Sequence, residues 1–287
     1  METNELVFFG AFLLIALSGW LWMLKQKFIA APDYQSAISA AFRLQSRGFV
    51  PVINLLGEHY TDRAKVEDTT TQYFFLIDLI KENKLIAKVS VKPTQIGLAI
   101  SKELYSYNIC RLARRAHNQK VPLEIDMEAL KYLDDTLETY WEIPGEFDVR
   151  QAIQAYLKRS EEDIEKFIAW NRKVRLVKGA YSESDLDKDE QKRQLFRLAD
   201  LLCFESGNQT LATVRDKNFI DGVRLAGERW TFFRSHISFQ MLYGRADKLK
   251  RELLKDGFRV EVYMPVGPWH KALPYVWRRI TEVYKSI

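Results

Sequence analysis

Residues 175–181 read Arg-Leu-Val-Lys-Gly-Ala-Tyr, an apolar run with two cations that closes on Gly179-Ala180. It follows a polar stretch from Trp170 to Lys173, and an apolar run bounded in this way describes a strand whose small terminal residues let backbone approach a ligand closely. Arg175 and Lys178 stand three positions apart, so a strand turns them to opposite faces. One of the two must therefore leave the interior or find a partner.

Working outward, the same unit recurs. Apolar runs at Phe49 to Leu56, Leu85 to Val91, Pro122 to Asp126 and Val149 to Ala155 precede the one at Val174 to Gly179; Thr210 to Thr213, Ile237 to Gln240 and Arg259 to Tyr263 follow it. Helical patterns separate them at about 66–81, 100–117, 129–141, 161–169, 190–206, 216–227 and 246–255, and Trp269 to Tyr284 reads as a final helix. Ahead of all these, Asp33 is placed to cap a helix with Ala37, Ile38, Ala41 and Phe42 on one face, ending at Arg47-Gly48. Continuous runs such as Phe49 to Leu56 suit parallel strands covered on both faces. Eight strand candidates alternating with helices predict an α/β fold, a (β/α)8 TIM-like barrel, rather than a doubly wound sheet with its glycine-rich first turn. In such a barrel chemistry sits at the strand C-termini, here marked by Glu58, Lys92, Asp126, Gln154, Lys178 with Tyr181, Thr213, Gln240 and Tyr263.

The first two dozen residues are of another kind. Leu6 to Leu24 carries no charge, and about 20 apolar residues let a helix cross the hydrocarbon core. Glu2 and Glu5 precede the run and no small-residue cleavage site follows, so a transmembrane helix fits better than a signal peptide. Trp20 and Trp22 stand near one end as an interfacial belt, and Lys25 and Lys27 follow, which puts the rest of the chain on the cytoplasmic side. The expected organisation is a single-pass anchor at 1–27, contacting the bilayer through residues 6–24, and one catalytic domain at 28–287.

Composition narrows the function. The chain of 287 residues is 47% hydrophobic, with no proline-, glycine- or serine-rich linker to divide it. Its net charge of +5 comes from basic residues dispersed among 38 acidic ones, so no nucleic-acid partner is expected and an anionic membrane surface is the better candidate. Cys110 and Cys203 form no CxxC pair and the 4 histidines show no ligand spacing, so neither a disulfide framework nor a bound metal is expected. P-loop, GxSxG, kinase and GxGxxG signatures are absent.

What remains are charged groups in apolar settings. Arg278-Arg279 lies within Tyr275 to Glu282, and paired guanidinium forks suit a carboxylate or phosphate, although Glu282 four residues beyond Arg278 could equally pair with it at a solvated surface. Lys92, after Val89-Ser90-Val91, is either an anion contact or, as Lys178 could also be, the Schiff-base nucleophile of a lyase or aldolase. Asp126 is either a strand-end acid or the N-cap of the next helix.

VSVKPTQIGL (89–98), EIDME (124–128), QAYLKRSEEDI (154–164), RLVKGAY (175–181), FQMLYG (239–244), VYMPVG (262–267) and YVWRRITE (275–282), with LLGE (55–58), together resemble the proline dehydrogenase family in order and spacing. The resemblance spans roughly residues 34–284. It implies a distorted (β/α)8 barrel binding FAD across the strand C-termini, with the last helix folded over L-proline. Lys92, Arg278 and Arg279 would hold the carboxylate, Asp126 would position the ring, and Tyr181 and Tyr263 would pack around it. Arg175 would reach the reactive edge of the flavin. Met127, Gln154, Lys178, Gly179, Ala180, Thr213 and Val214 would be further FAD contacts, with Val214 standing where the family commonly has histidine. The implied activity is monofunctional oxidation of L-proline to Δ1-pyrroline-5-carboxylate, with a membrane quinone as electron acceptor suggested by the anchor. The alternatives are oxidation of hydroxyproline or another cyclic imino acid, or a membrane-anchored scaffold that has lost flavin.

Overall fold

A computed structural model describes residues 28–179, 183–205, 209–212, 220–222, 236–268, 271–272 and 275. Within them the eight expected strands form one closed barrel: β1 (Val50–Leu55), β2 (Lys88–Val91), β3 (Leu123–Ile125), β4 (Val149–Gln154), β5 (Lys173–Val177), β6 (Gln209–Ala212), β7 (Ile237–Leu242) and β8 (Arg259–Val266). Every neighbouring pair is parallel, and β8 closes on β1 from Val50 opposite Glu261 to Leu55 opposite Val266. The described helices are α1 (Tyr34–Gln45), α2 (Arg63–Glu82), α3 (Lys102–Gln119), α4 (Leu133–Trp141), α5 (Ser160–Ala169), α6 (Lys188–Glu205) and α7 (Asp247–Lys255). Among the described residues no helix is long and apolar enough to cross a membrane. The Leu6 to Leu24 span lies outside them, as do Ala180, Tyr181, Thr213, Val214, Arg278 and Arg279.

Local chemistry sets the helix boundaries. The Asp33 carboxylate accepts from the Ser36 amide at 2.7 Å to start α1, and Asp62 and Ser101 do the same for α2 and α3. In α3 the buried positions Tyr105, Ile109, Leu112, Ala113 and Ala116 recur at three and four residues, a single stripe turned onto the sheet.

The strands depart from the expectation of continuous apolar runs. Outside β1 they alternate. Val89, Val91, Leu123, Ile125, Val174, Leu176, Phe239, Met241, Val260 and Val262 form an apolar outer face under the helices, all nearly inaccessible. The residues between them, Lys88, Ser90, Glu124, Arg150, Arg175, Gln240 and Glu261, are equally buried but polar. Most TIM barrels fill the interior with branched apolar side chains. This one fills it with ions. Two strands also run past their expected ends, β7 to Leu242 and β8 to Val266, so Gln240 and Tyr263 lie inside the barrel rather than at its edge.

Candidate functional site

The interior charges divide into two layers. In the lower one, Lys88 lies 3.3 Å from Glu124 and pairs also with Glu261, while the Arg150 guanidinium is 2.8 Å from Glu124 and 3.5 Å from Glu261. Gln240 donates to both carboxylates, at 2.8 and 3.0 Å. Two cations and two carboxylates leave this layer neutral. Burial would raise the Glu261 carboxyl, but Lys88 and Arg150 outweigh it and hold the group well below the usual carboxylate range.

The upper layer is built on Asp126. Its Oδ1 accepts from Ser90 Oγ at 2.9 Å and from the Arg175 guanidinium; its Oδ2 accepts from Lys92 Nζ at 2.7 Å and from the Tyr263 hydroxyl at 2.6 Å. Arg175 also sits over the Tyr263 ring at 5.2 Å. Two cations face one carboxylate here, with the buried Glu128 acting on Lys92 from farther off. Burial opposes the ionised form of Asp126, yet Lys92 and then Arg175 outweigh it and hold the carboxyl far below the usual carboxylate pKa range. Conversely, burial favours neutral Lys92, but Asp126 outweighs this and raises the ammonium well above the ordinary lysine range. A lysine so held is protonated at neutral pH, which removes it as a Schiff-base nucleophile. Nor does Asp126 cap a helix: the next helical turn, Leu130–Tyr132, begins at Ala129.

Around this layer stand the other predicted groups. Met127 and Gln154 are buried, and Gln154 Nε2 donates to the Glu128 carbonyl at 3.3 Å. Arg175 looks into the barrel while Lys178, past the end of β5, is exposed, which answers the question of their opposite faces. Gly179 adopts φ +113, where a side chain would be strained, and an added Cβ would fall 1.4 Å from a Tyr156 ring carbon. Tyr156 packs on the side a Cβ would occupy, so the position requires glycine. Glu128 fixes the turn after β2, its oxygens accepting from the Thr94 amide at 2.7 Å and hydroxyl at 2.8 Å. Glu58, His59 and Glu128 are the described residues that could together hold a cation, but both Glu128 oxygens are already engaged by Thr94.

Two buried atoms in the upper region have no hydrogen-bond partner, Arg175 Nε and Gln154 Oε1. A buried donor and a buried acceptor left open on adjacent strands are costly unless a ligand supplies what they lack. The isoalloxazine edge of FAD offers both acceptors and a donor, so these residues fit that cofactor. Sequence reasoning missed Lys88, Glu124, Arg150 and Glu261. The signal was the two-residue spacing Lys88-Ser90-Lys92, Glu124-Asp126 and Glu261-Tyr263, which places each set on one strand face.

A model of the proline dehydrogenase family matches residues 37–197 and 218–284. The chain is 33% identical over 262 residues to proline dehydrogenase 1 of Bacillus subtilis subsp. natto, covering 90% of this chain and 86% of that one. It is 30% identical over 280 residues to proline dehydrogenase of Deinococcus radiodurans, covering 93% and 88% respectively. Among solved structures, proline utilization A from Bdellovibrio bacteriovorus, inactivated by N-propargylglycine, superposes with a TM-score of 0.82 at 21% identity, over 89% of this chain and 32% of that larger one. That last likeness speaks for the barrel alone. The family match over most of the barrel, joined by relatives of nearly the same length, establishes that this chain belongs to the proline dehydrogenase family.

Proposed function

We propose that this chain is a membrane-anchored, FAD-dependent proline dehydrogenase that oxidises L-proline to Δ1-pyrroline-5-carboxylate and passes the electrons to a membrane quinone. Residues 6–24 cross the bilayer once, and the barrel lies on the cytoplasmic side. The observation that carries the assignment is the upper layer, where Lys92 and Arg175 held on Asp126 meet two unsatisfied buried atoms, Arg175 Nε and Gln154 Oε1.

FAD, when bound, supplies the acceptor for the hydride that proline gives up. The protein's part is positioning and electrostatics. Lys92, pinned by Asp126 and by the Tyr263 hydroxyl 3.3 Å away, presents a fixed positive charge to the proline carboxylate, and Arg278 and Arg279 complete the clamp. Asp126 stays ionised and orients Lys92 and Arg175. Tyr263 and Tyr181 pack around the substrate ring. Arg175 and Gln154 hold the flavin edge, while Met127, Lys178, Gly179, Ala180, Thr213 and Val214 supply further contacts to the cofactor.

Purified protein should carry a yellow flavin band that L-proline bleaches without oxygen. A chain without flavin that also fails to take up added FAD would remove the assignment in favour of a non-catalytic scaffold. A band bleached faster by hydroxyproline would change the substrate.

A further inference from the structure

We propose that the C-terminal rim of the barrel, around β8, β1 and the loop after β7, is the surface that lies against the bilayer, so that the mouth of the active site faces lipid. This rests on the anchor assigned above. Its basis is where the first described residues are tied down. Phe28 and Ile29 are only 4% and 6% exposed and pack with Leu56, Ala272 and Tyr275. The Ala30 amide donates to the Pro265 carbonyl at 2.9 Å, the Gly267 amide donates to the Ala31 carbonyl at 3.0 Å, and Ala31 pairs in parallel with Val266. The Arg245 guanidinium, from the loop after β7, covers the Phe28 ring at 5.6 Å. Residues 28–31 are thus a strap sewn to the end of β8 at Pro265 to Gly267, with Leu56 after β1 and Arg245 after β7 packed on it.

From the strap, α1 descends the outside of the barrel to the other end, where Gln45 Oε1 accepts from the Ile86 amide at 2.8 Å. The chain therefore enters the barrel at its mouth and not at its base. Only Lys25, Gln26 and Lys27 separate Leu24 from the strap, and four Cα steps span at most about 14 Å. A tether this short holds the rim against the headgroups. Lys25 and Lys27 in sequence, with Arg245 over Phe28, set cations beside the strap where anionic headgroups would meet them. Among the described residues the two most exposed apolar side chains, Trp170 and Ile86, lie at the opposite end, but singly exposed apolar residues are ordinary on a protein surface.

The test uses the full chain reconstituted into vesicles of phosphatidylcholine with a minority of phosphatidylglycerol, in a Cys110→Ser background, with a fluorophore at Thr61→Cys on the rim or at Ile86→Cys or Trp170→Cys at the base. A strand's length, roughly 25 Å, separates the two ends, so a nitroxide-labelled headgroup should remove about half the rim emission and less than about a tenth at the base. Phe28→Asp, which unstitches the strap, should leave the chain on the vesicles while the rim and base signals converge. Equal or stronger quenching at the base in a chain that floats with vesicles would overturn the orientation alone. A chain that fails to float overturns the anchor, and the orientation with it.

Discussion

Asp126→Asn tests the upper layer most directly, because all four groups that address this carboxylate are donors. Asparagine keeps the volume but offers one acceptor oxygen, and its amide must point N–H bonds at either the Ser90 and Arg175 side or the Lys92 and Tyr263 side. Hydroxyls of Ser90 and Tyr263 can rotate and accept instead. The cations cannot. The nearest other carboxylate, on Glu124, is 4.0 Å from Arg175, so at least one buried cation is left without a full partner. Breaking a buried pair in this way costs about 3–5 kcal/mol. For a domain of this size that lowers Tm by about 10 °C, read by near-UV circular dichroism in mild detergent at neutral pH. Adding Lys92→Met removes one orphaned cation and should recover part of the loss, a coupling that independent sites would not show. The pH dependence follows with a definite sign. Because the folded Asp126 carboxyl is depressed, its stabilisation is complete above the unfolded value near about 4 and disappears as pH falls through the folded one. Wild type should therefore lose stability steeply below about pH 4, and Asp126→Asn less so. If Asp126→Asn melts within about 1 kcal/mol of wild type, the layer is solvated and the charge argument is refuted.

Other outcomes are open to the same kind of measurement. Arg279→Met should raise KM for proline about ten- to hundredfold with flavin still bound, the worth of a charge-assisted hydrogen bond; an unchanged KM would place that arginine away from substrate. Gly179→Ala drives a methyl into the Tyr156 ring and should cost more than about 3 kcal/mol, with Tyr156→Ala restoring most of it in a double-mutant melt. Borohydride added with a carbonyl compound should leave the mass of Lys92 unchanged, since a lysine raised by Asp126 offers no free amine. Lys88→Met, facing two carboxylates in the neutral layer, should destabilise about as much as Asp126→Asn, without any dependence on bound proline.

The barrel was legible because its units carry recognisable punctuation: Asp33 caps the first helix, and the run at 175–177 stops just short of a glycine. The strand-end rule then led to Lys92 and Asp126, and the family resemblance to Arg175; the fold joins both cations to that carboxylate. What stayed hidden was pairing. Lys88 and Glu261 are 173 positions apart, and nothing local to either residue names the other. The ends of β7 and β8 were also misread, because Gln240 and Tyr263 are polar where a strand is expected to stop, yet both are satisfied by interior partners. Likewise Gly179 signals close approach, but only the fold shows Tyr156 packed against it.

The ionic interior also bears on how the chain can fold. Cations on β2 and β4 are neutralised partly by Glu261 on β8, the last strand to emerge from the ribosome. Until that strand docks, a partial barrel would have to bury Lys88 and Arg150 with Glu124 as their shared counter-ion. Half-barrels of this chain should therefore be poor autonomous units, and assembly should be concerted, with β8 acting as the clasp that makes closure electrostatically permissible.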